Sequence, residues 1–224
     1  STKFLSEREL TVLRPLLEEL KAPYTTWGGC EGAERAVLVF LPDWLEAEKL
    51  KDSPANPVRL LRASYTGEKL SHRDFLGALM GLGIERETVG DLIIRDGSCD
   101  IIVLREVLPY VLDNLSSAGR AGLRLEVIDE TEPEEAQFKL IKDTVASLRL
   151  DAVVSAGYQI SREKAAQAVR TGKVSLNGLE CLKPDRELSE GDRITLRGLG
   201  RIRLSAVKGL SRKGRIMIEV MRLV

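Results

Sequence analysis

Ser161-Arg162-Glu163-Lys164-Ala165-Ala166-Gln167-Ala168-Val169-Arg170-Thr171-Gly172-Lys173-Val174-Ser175-Leu176-Asn177-Gly178-Leu179-Glu180-Cys181-Leu182 holds a helix start, a helix stop and a hairpin in one run. Ser161 suits an N-cap, because its hydroxyl can accept a free N–H of the first turn. Ala165, Ala166 and Val169 then form one apolar side at helical spacing. Asn177-Gly178 parts two short strand patterns, residues 173–176 and 179–182, and is a strong signal for a two-residue hairpin turn. Working outward, residues 145–156 read as a preceding helix that ends at Gly157. Gly191-Asp192 marks another turn, and Ile194, Leu196, Ile202 and Leu204 alternate with polar residues. A last hairpin turns at Lys213-Gly214, before Ile216, Ile218 and Val220. Residues 145–224 therefore read as two helices followed by a small sheet.

The rest of the chain divides on the same kinds of signal. Residues 58–65 suggest a strand, and Ser71 with Asp74 suggests a helix start. Phe75, Leu76, Leu79 and Met80 carry that helix to Gly81 and Gly83. Two apolar runs, 92–95 and 101–104, flank Asp96-Gly97; residues 105–115 read as a helix and 123–128 as a strand. The order β-α-β-β-α-β is the ferredoxin-like split pattern. Upstream, Ser6 and Glu9 fit a capping box before Leu10, Leu13, Leu16, Leu17 and Leu20, although Pro15 can split that helix. Trp27-Gly28-Gly29-Cys30 reads as a loop, residues 36–41 as a buried strand, and residues 51–57 as a boundary. Trp27 and Trp44 are expected in the core. Residues 131–135 form an acidic linker, or the start of a connecting helix through Phe138, Ile141 and Val145. The expected fold class is α+β: a small N-terminal α/β domain at 1–56, a ferredoxin-like (RRM-like) domain at 57–130, and a third domain at 145–224.

The 224 residues carry 34 Lys and Arg, 34 Asp and Glu, and one His, so the formal net charge is zero. That balance hides a split, because residues 145–224 hold 16 cations and 8 acids, leaving the remainder acidic. A basic module joined to acidic ones points to contact with a polyanion. Cys30, Cys99 and Cys181 are scattered, which fits a reducing compartment better than a disulfide framework or a zinc site. No run approaches the ~20 apolar residues of a membrane helix, and Ser1-Thr2-Lys3-Phe4 has no signal-peptide pattern. The expected location is cytoplasmic, with no membrane partner.

Arg162 and Lys164 fall in the first turn of their helix, where cations oppose the helix dipole. A local preference broken without structural gain marks function, and a phosphate there would restore the balance. Either cation alone also fits a solvated face; the set together favours polyanion binding.

Arg149-Leu150-Asp151, Gly157, Ser161-Arg162, Ala165, Gly172-Lys173-Val174, Asn177-Gly178, Pro184 and Gly191-Asp192-Arg193-Ile194 follow one another in an order that resembles the S4 domain, an RNA-binding module. The resemblance implies an RNA face of Arg149, Ser161, Arg162, Lys164, Arg170 and Lys173, to which the nearby Lys183, Arg197 and Arg201 are added. It leaves Asp151, Asn177, Gly178 and Gly191 mainly structural. The run from Leu70-Ser71-His72-Arg73-Asp74 through Gly81-Leu82-Gly83-Ile84, with Arg86, Gly90-Asp91, Gly28-Gly29 and Glu34-Arg35, resembles the YlmH-type proteins over nearly the whole chain. That resemblance implies a bacterial, ribosome-associated protein. Its partners would be structured RNA (ribosomal RNA or tRNA) and the large ribosomal subunit, with a role in rescue of stalled translation in some bacteria. A monomer without cofactor or metal is expected.

His72 admits a catalytic reading, a packing reading and a hydrogen-bonded loop reading. No Ser or Cys shows a plausible base partner, so no catalytic residue is assigned. His72, Arg73 and Arg86 are instead candidates for a second contact surface. The middle domain lacks the strand aromatics of RNA-binding RRMs, having only Tyr65, and is expected to be a spacer or a protein- or ribosome-contacting domain. Two other functions compete: an RNA-modifying enzyme of the pseudouridine synthase or methyltransferase type, and a cell-division-linked protein adaptor.

Overall fold

A capping box starts the first helix: the Ser6 N–H donates to the Glu9 carboxylate at 2.7 Å. Strand β1 (Phe4–Ser6) runs straight into helix α1 (Glu7–Leu20), which continues through Pro15 without a break. Strands β2 (Tyr24–Trp27) and β3 (Arg35–Phe40) complete a small antiparallel sheet of order β1-β3-β2. The computed structural model describes residues 1–20, 22–132 and 138–223, and the chain forms two compact units, Ser1–Glu135 and Ala136–Val224.

The first unit also holds β4 (Val58–Ser64), α2 (His72–Gly81), β5 (Val89–Arg95), β6 (Ser98–Leu104), α3 (Leu108–Asn114), a ribbon of β7 (Ser117–Ala118) and β8 (Ala121–Gly122), and β9 (Arg124–Ile128). The large sheet has the order β5-β6-β4-β9 and is antiparallel throughout, which is the ferredoxin-like arrangement. Alternate strand residues face opposite sides. Leu61, Ala63, Ile101 and Val103 pack against Phe75 and Leu79 of α2. Val58, Leu60, Ile93, Ile102 and Leu104 pack instead against Phe4, Val37 and Val39 of the N-terminal sheet. Both faces of the sheet are therefore covered. The approach is close at Gly90, where a Cβ would meet the Phe4 ring at 2.8 Å, and at Gly29, where it would meet Ile102 at 2.7 Å.

Beyond the apolar seam the same face is polar. Fully buried Asp100 accepts two hydrogen bonds from Arg62, at 2.6 and 2.9 Å, and one from Arg95 at 2.8 Å. Thr131 donates to it at 2.6 Å, which ties the chain after β9 across this end of the sheet.

The second unit begins with a strand where a connecting helix was one expectation. Strand β10 (Phe138–Val145) pairs antiparallel with β15 (Ile216–Leu223) along its whole length. Ile141 and Val145 suit a helix face or a strand face equally, and pairing with a distant strand decides between them. Residues 133–137, most of the expected linker, lie outside the described residues. Helices α4 (Leu150–Tyr158) and α5 (Arg162–Arg170) follow, and then β11 (Val174–Leu176), β12 (Leu179–Glu180), β13 (Arg193–Leu196) and β14 (Gly200–Leu210). The sheet order is β10-β15-β14-β13-β11-β12. Asn177 and Gly178 both have positive φ, as the two-residue turn requires. Asn177 also donates to Asp192 at 2.9 Å and accepts the Arg193 N–H at 2.9 Å, binding two turns together.

Candidate nucleic-acid interface

Helix α4 is nearly all buried, because Gly157 lets it lie against the sheet: a Cβ there would meet Ile202 at 2.5 Å. Its first turn places Asp151 inside, only 5% exposed. The α4 N-terminus is closed by protein rather than left open to an anion. The Leu150 N–H donates to the Arg186 carbonyl at 2.8 Å and the Asp151 N–H to the Pro184 carbonyl at 2.9 Å. The loop that carries Lys183 is thereby held beside Arg149.

Asp151 joins two cations. Arg149 donates to it from Nε at 3.2 Å and from Nη2 at 3.4 Å, and Arg162 does so at 3.4 and 3.3 Å. Burial pushes the Asp151 carboxyl up, but the bonds from Arg149 and Arg162 outweigh it and hold the pKa below the ordinary value. One carboxylate thus orients two guanidiniums and leaves a net positive charge. About half of the Arg162 side chain stays exposed, at 51%, and so does 42% of Arg149. Each guanidinium has five N–H donors and spends two here.

Helix α5 turns Ala165 and Val169 inward. The Ser161 hydroxyl accepts the Lys164 N–H at 3.2 Å, so Ser161 serves as a helix cap. Lys164 and Arg170 lie on the exposed side of the same helix. The helix stops at Gly172 (φ 69°), where the Lys173 N–H donates back to the Ala168 carbonyl at 3.0 Å. The Arg197 N–H donates to the Lys173 carbonyl at 2.9 Å, which makes those two basic residues neighbours. Lys164, Arg170, Lys173, Lys183 and Arg197 are all exposed. Arg201 is half-buried on β14, near the Tyr158 hydroxyl.

The second candidate surface separates. His72 and Arg73 are exposed at the start of α2, where Ser71 donates to Asp74 from its N–H (2.8 Å) and its hydroxyl (2.7 Å). Arg86 lies past the far end of that helix, in the turn before β5. There it is turned inward and donates to the Val89 and Gly90 carbonyls, so it clamps the seam between the sheets. Glu34 and Asp91 lie on the same seam, the Glu34 N–H donating to the Asp91 carboxylate at 2.6 Å. Two aromatic expectations also change. Trp44 is 72% exposed rather than in the core, whereas Trp27 packs partly buried against the seam. Tyr65 is buried beside Phe75 and accepts the Leu70 N–H, so it offers no stacking surface.

Among the described residues, no group of His, Cys, Asp and Glu could hold a metal ion, and no helix is long and apolar enough to cross a membrane. Sequence reasoning missed the role of Asp151 as the common anchor of Arg149 and Arg162. Its spacing to Arg149 was visible, but the third partner comes from the next helix.

Comparison with known proteins matches residues 58–132 to a family model described as a putative RNA-binding domain in YlmH, and residues 148–194 to the S4 domain. The chain is 31% identical over 216 residues to the ribosome-associated protein quality control protein P2 of Bacillus subtilis, covering 95% of this chain and 82% of that one. A solved structure, the cell division protein ylmH from Streptococcus pneumoniae, aligns at a TM-score of 0.49 and 21% identity, over 57% of this chain and 76% of that one.

Proposed function

We propose, for a chain that belongs to the YlmH family of S4-domain proteins, that it is a non-catalytic RNA-binding factor of the ribosome. The observation that carries this reading is the Arg149–Asp151–Arg162 group, set among exposed cations on the helix pair and its adjoining turns. Two oriented guanidiniums suit phosphate, which they can grip with paired N–H donors. Lys164, Lys173, Lys183 and Arg197 add positive charge around them. Recognition rests on RNA shape and backbone rather than on base identity.

In this reading residues 145–224 are the RNA module, and the finer target is ribosomal RNA of the large subunit, with bound tRNA within reach. The name of the Bacillus subtilis relative, a ribosome-associated protein quality control protein, supports a place in quality control on the ribosome. The region at 57–130 does not bind bases through its sheet, because the N-terminal sheet and the Asp100 network cover the face that an RRM uses. His72 and Arg73 remain available there for a second contact.

The test is sedimentation through a sucrose gradient, with the native chain compared to Arg149→Ala/Arg162→Ala. The native chain should travel with the large subunit and the variant should stay at the top. If about four to six cations meet phosphate, log K should fall with log salt at a slope of roughly −3 to −5. A native chain that stays at the top at low salt, or binds independently of salt, refutes the proposal.

A further inference from the structure

A cleft of about 440 Å³ opens in the second unit between β10, α4 and the start of β15. Its lining includes Lys142, Thr144, Ser155, Gln159, Arg162 and Arg215. Asp143 is its one carboxylate, so the formal charge of the lining is positive. None of its lining residues is aromatic among the described residues, which argues against a stacked base and for a polar, anionic ligand. Arg162 belongs both to this cleft and to the Asp151 group. The cleft therefore continues the cationic face of the helix pair.

Arg215 also lines the cleft. It donates to the Thr144 hydroxyl from Nε at 3.0 Å and to the Thr144 carbonyl from Nη2 at 2.6 Å. It also closes the turn between β14 and β15. There the Gly214 N–H donates to the Ser211 carbonyl at 2.9 Å, the Ser211 N–H donates to the Arg215 carbonyl at 2.7 Å, and Gly214 takes φ 70°. Arg212 and Lys213 stand at the apex of that turn, both exposed. Residues 205–216 hold four cations and no acid. Lys208 pairs with Glu219 at 2.6 Å, a carboxylate it shares with Lys142 at 3.5 Å, whereas Arg212 and Lys213 form no ion pair among the described residues. The S4 match ends at residue 194, so the hairpin lies outside it.

We infer that the cleft and the β14–β15 hairpin form a second arm of the RNA site: a backbone phosphate sits between Arg162 and Arg215, and the strand runs on over Arg212 and Lys213. The inference rests on the RNA-binding reading above and extends that site beyond the helix pair. A turn with two unpaired cations is by itself an ordinary solvated turn. What sets this one apart is its third cation, Arg215, which is fixed against Thr144 and shares a cleft with Arg162.

The test uses the full chain and end-labelled fragments of ribosomal RNA, titrated at several salt concentrations. Arg212→Ala/Lys213→Ala removes two cations that hold nothing in the fold. Gln159→Glu puts a carboxylate into the cleft at an exposed position. Arg8→Ala/Arg14→Ala, on α1, makes the same change in net charge far along the chain. Each phosphate contact is worth roughly eightfold in affinity at ~0.1 M salt. The hairpin variant should therefore bind some tens of times more weakly, with a salt slope shallower by about two. Gln159→Glu should weaken binding about tenfold, and the α1 variant should bind as the native chain does. Native affinity and slope in the hairpin variant, with binding lost in Arg149→Ala/Arg162→Ala, overturn this inference and leave the RNA-binding reading intact. Equal losses in the hairpin and α1 variants reduce the effect to net charge and overturn it too. A native chain that binds no RNA overturns both readings.

Discussion

Replacing Asp100 by Asn tests whether the polar end of the covered sheet face holds the first unit together. Asp100 is fully buried, and burial pushes its carboxyl up; hydrogen bonds from Arg62, Thr131 and Arg95 outweigh that and bring the pKa down to about 2. Against an unfolded value near ~3.9, the difference is worth about 2–3 kcal/mol at neutral pH. Breaking a buried ion pair costs about 3–5 kcal/mol when the partner charge is stranded. Arg62 and Arg95 stay 38% and 31% exposed and can turn to water, so the lower figure applies. At about 2 kcal/mol per molar urea, the unfolding midpoint should fall by about 1 M. Trp27 and Trp44 are the only tryptophans and both lie in this unit, so their fluorescence reports it alone. The folded pKa is depressed, so the stabilisation is present above the unfolded pKa and disappears as pH falls from about 4 towards about 2. The gap between native chain and variant should close over that window. A midpoint shift below about 0.3 M at neutral pH, or a gap that does not change with pH, refutes the reasoning.

Three other perturbations follow from the same geometry. Gly90→Ala should destabilise the first unit by about 1–3 kcal/mol, read by the same fluorescence, because the added methyl meets an aromatic ring and Ile102 in a packed seam. Cys181 is half-buried, whereas burial pushes the Cys30 thiol up to about 11 and the Cys99 thiol higher still. Thiol labelling of the native chain at pH ~8 should therefore modify Cys181 alone, with the other two reacting only after denaturant is added. Asp151→Asn should raise the net charge yet lower the preference for structured over single-stranded RNA several-fold. Unchanged discrimination in a competition titration would show that the carboxylate does not orient Arg149 and Arg162.

The second unit was legible because its signals are local. A cap at Ser161, a stop at Gly172 and a turn at Asn177-Gly178 each act within a few residues, and together they leave one arrangement. Strand β10 was not legible in that way. Ile141 and Val145 carry no local preference strong enough to exclude a helix, and their partner strand lies at the far end of the chain. The covered sheet face leaves a trace in the sequence: Ile101-Ile102-Val103-Leu104 is apolar at every position, which suits a strand buried on both sides. The inward turn of Arg86 left none, because an arginine bound to backbone carbonyls reads in sequence like any surface cation.

The candidate site was named from sequence as one set of cations, and the structure divides that set into two kinds. Lys164, Lys173 and Lys183 are exposed and form no ion pair among the described residues, so their part in the proposed site needs only the sequence to be expected. In the proposed site they would supply long-range attraction that weakens with salt, each losing rotamer freedom on engaging a phosphate. Arg149 and Arg162 differ in kind, because Asp151 already fixes them from inside the helix pair, and that ordering is done before RNA arrives. Only such fixed groups can favour one backbone geometry over another, since a mobile lysine follows whatever phosphate it meets. Arg215, held by Thr144, is of the fixed kind, whereas Arg212 and Lys213 are of the free kind. Each arm of the proposed site thus pairs oriented guanidiniums with loose cations. Discrimination should follow the fixed set, and salt-dependent affinity the two sets together.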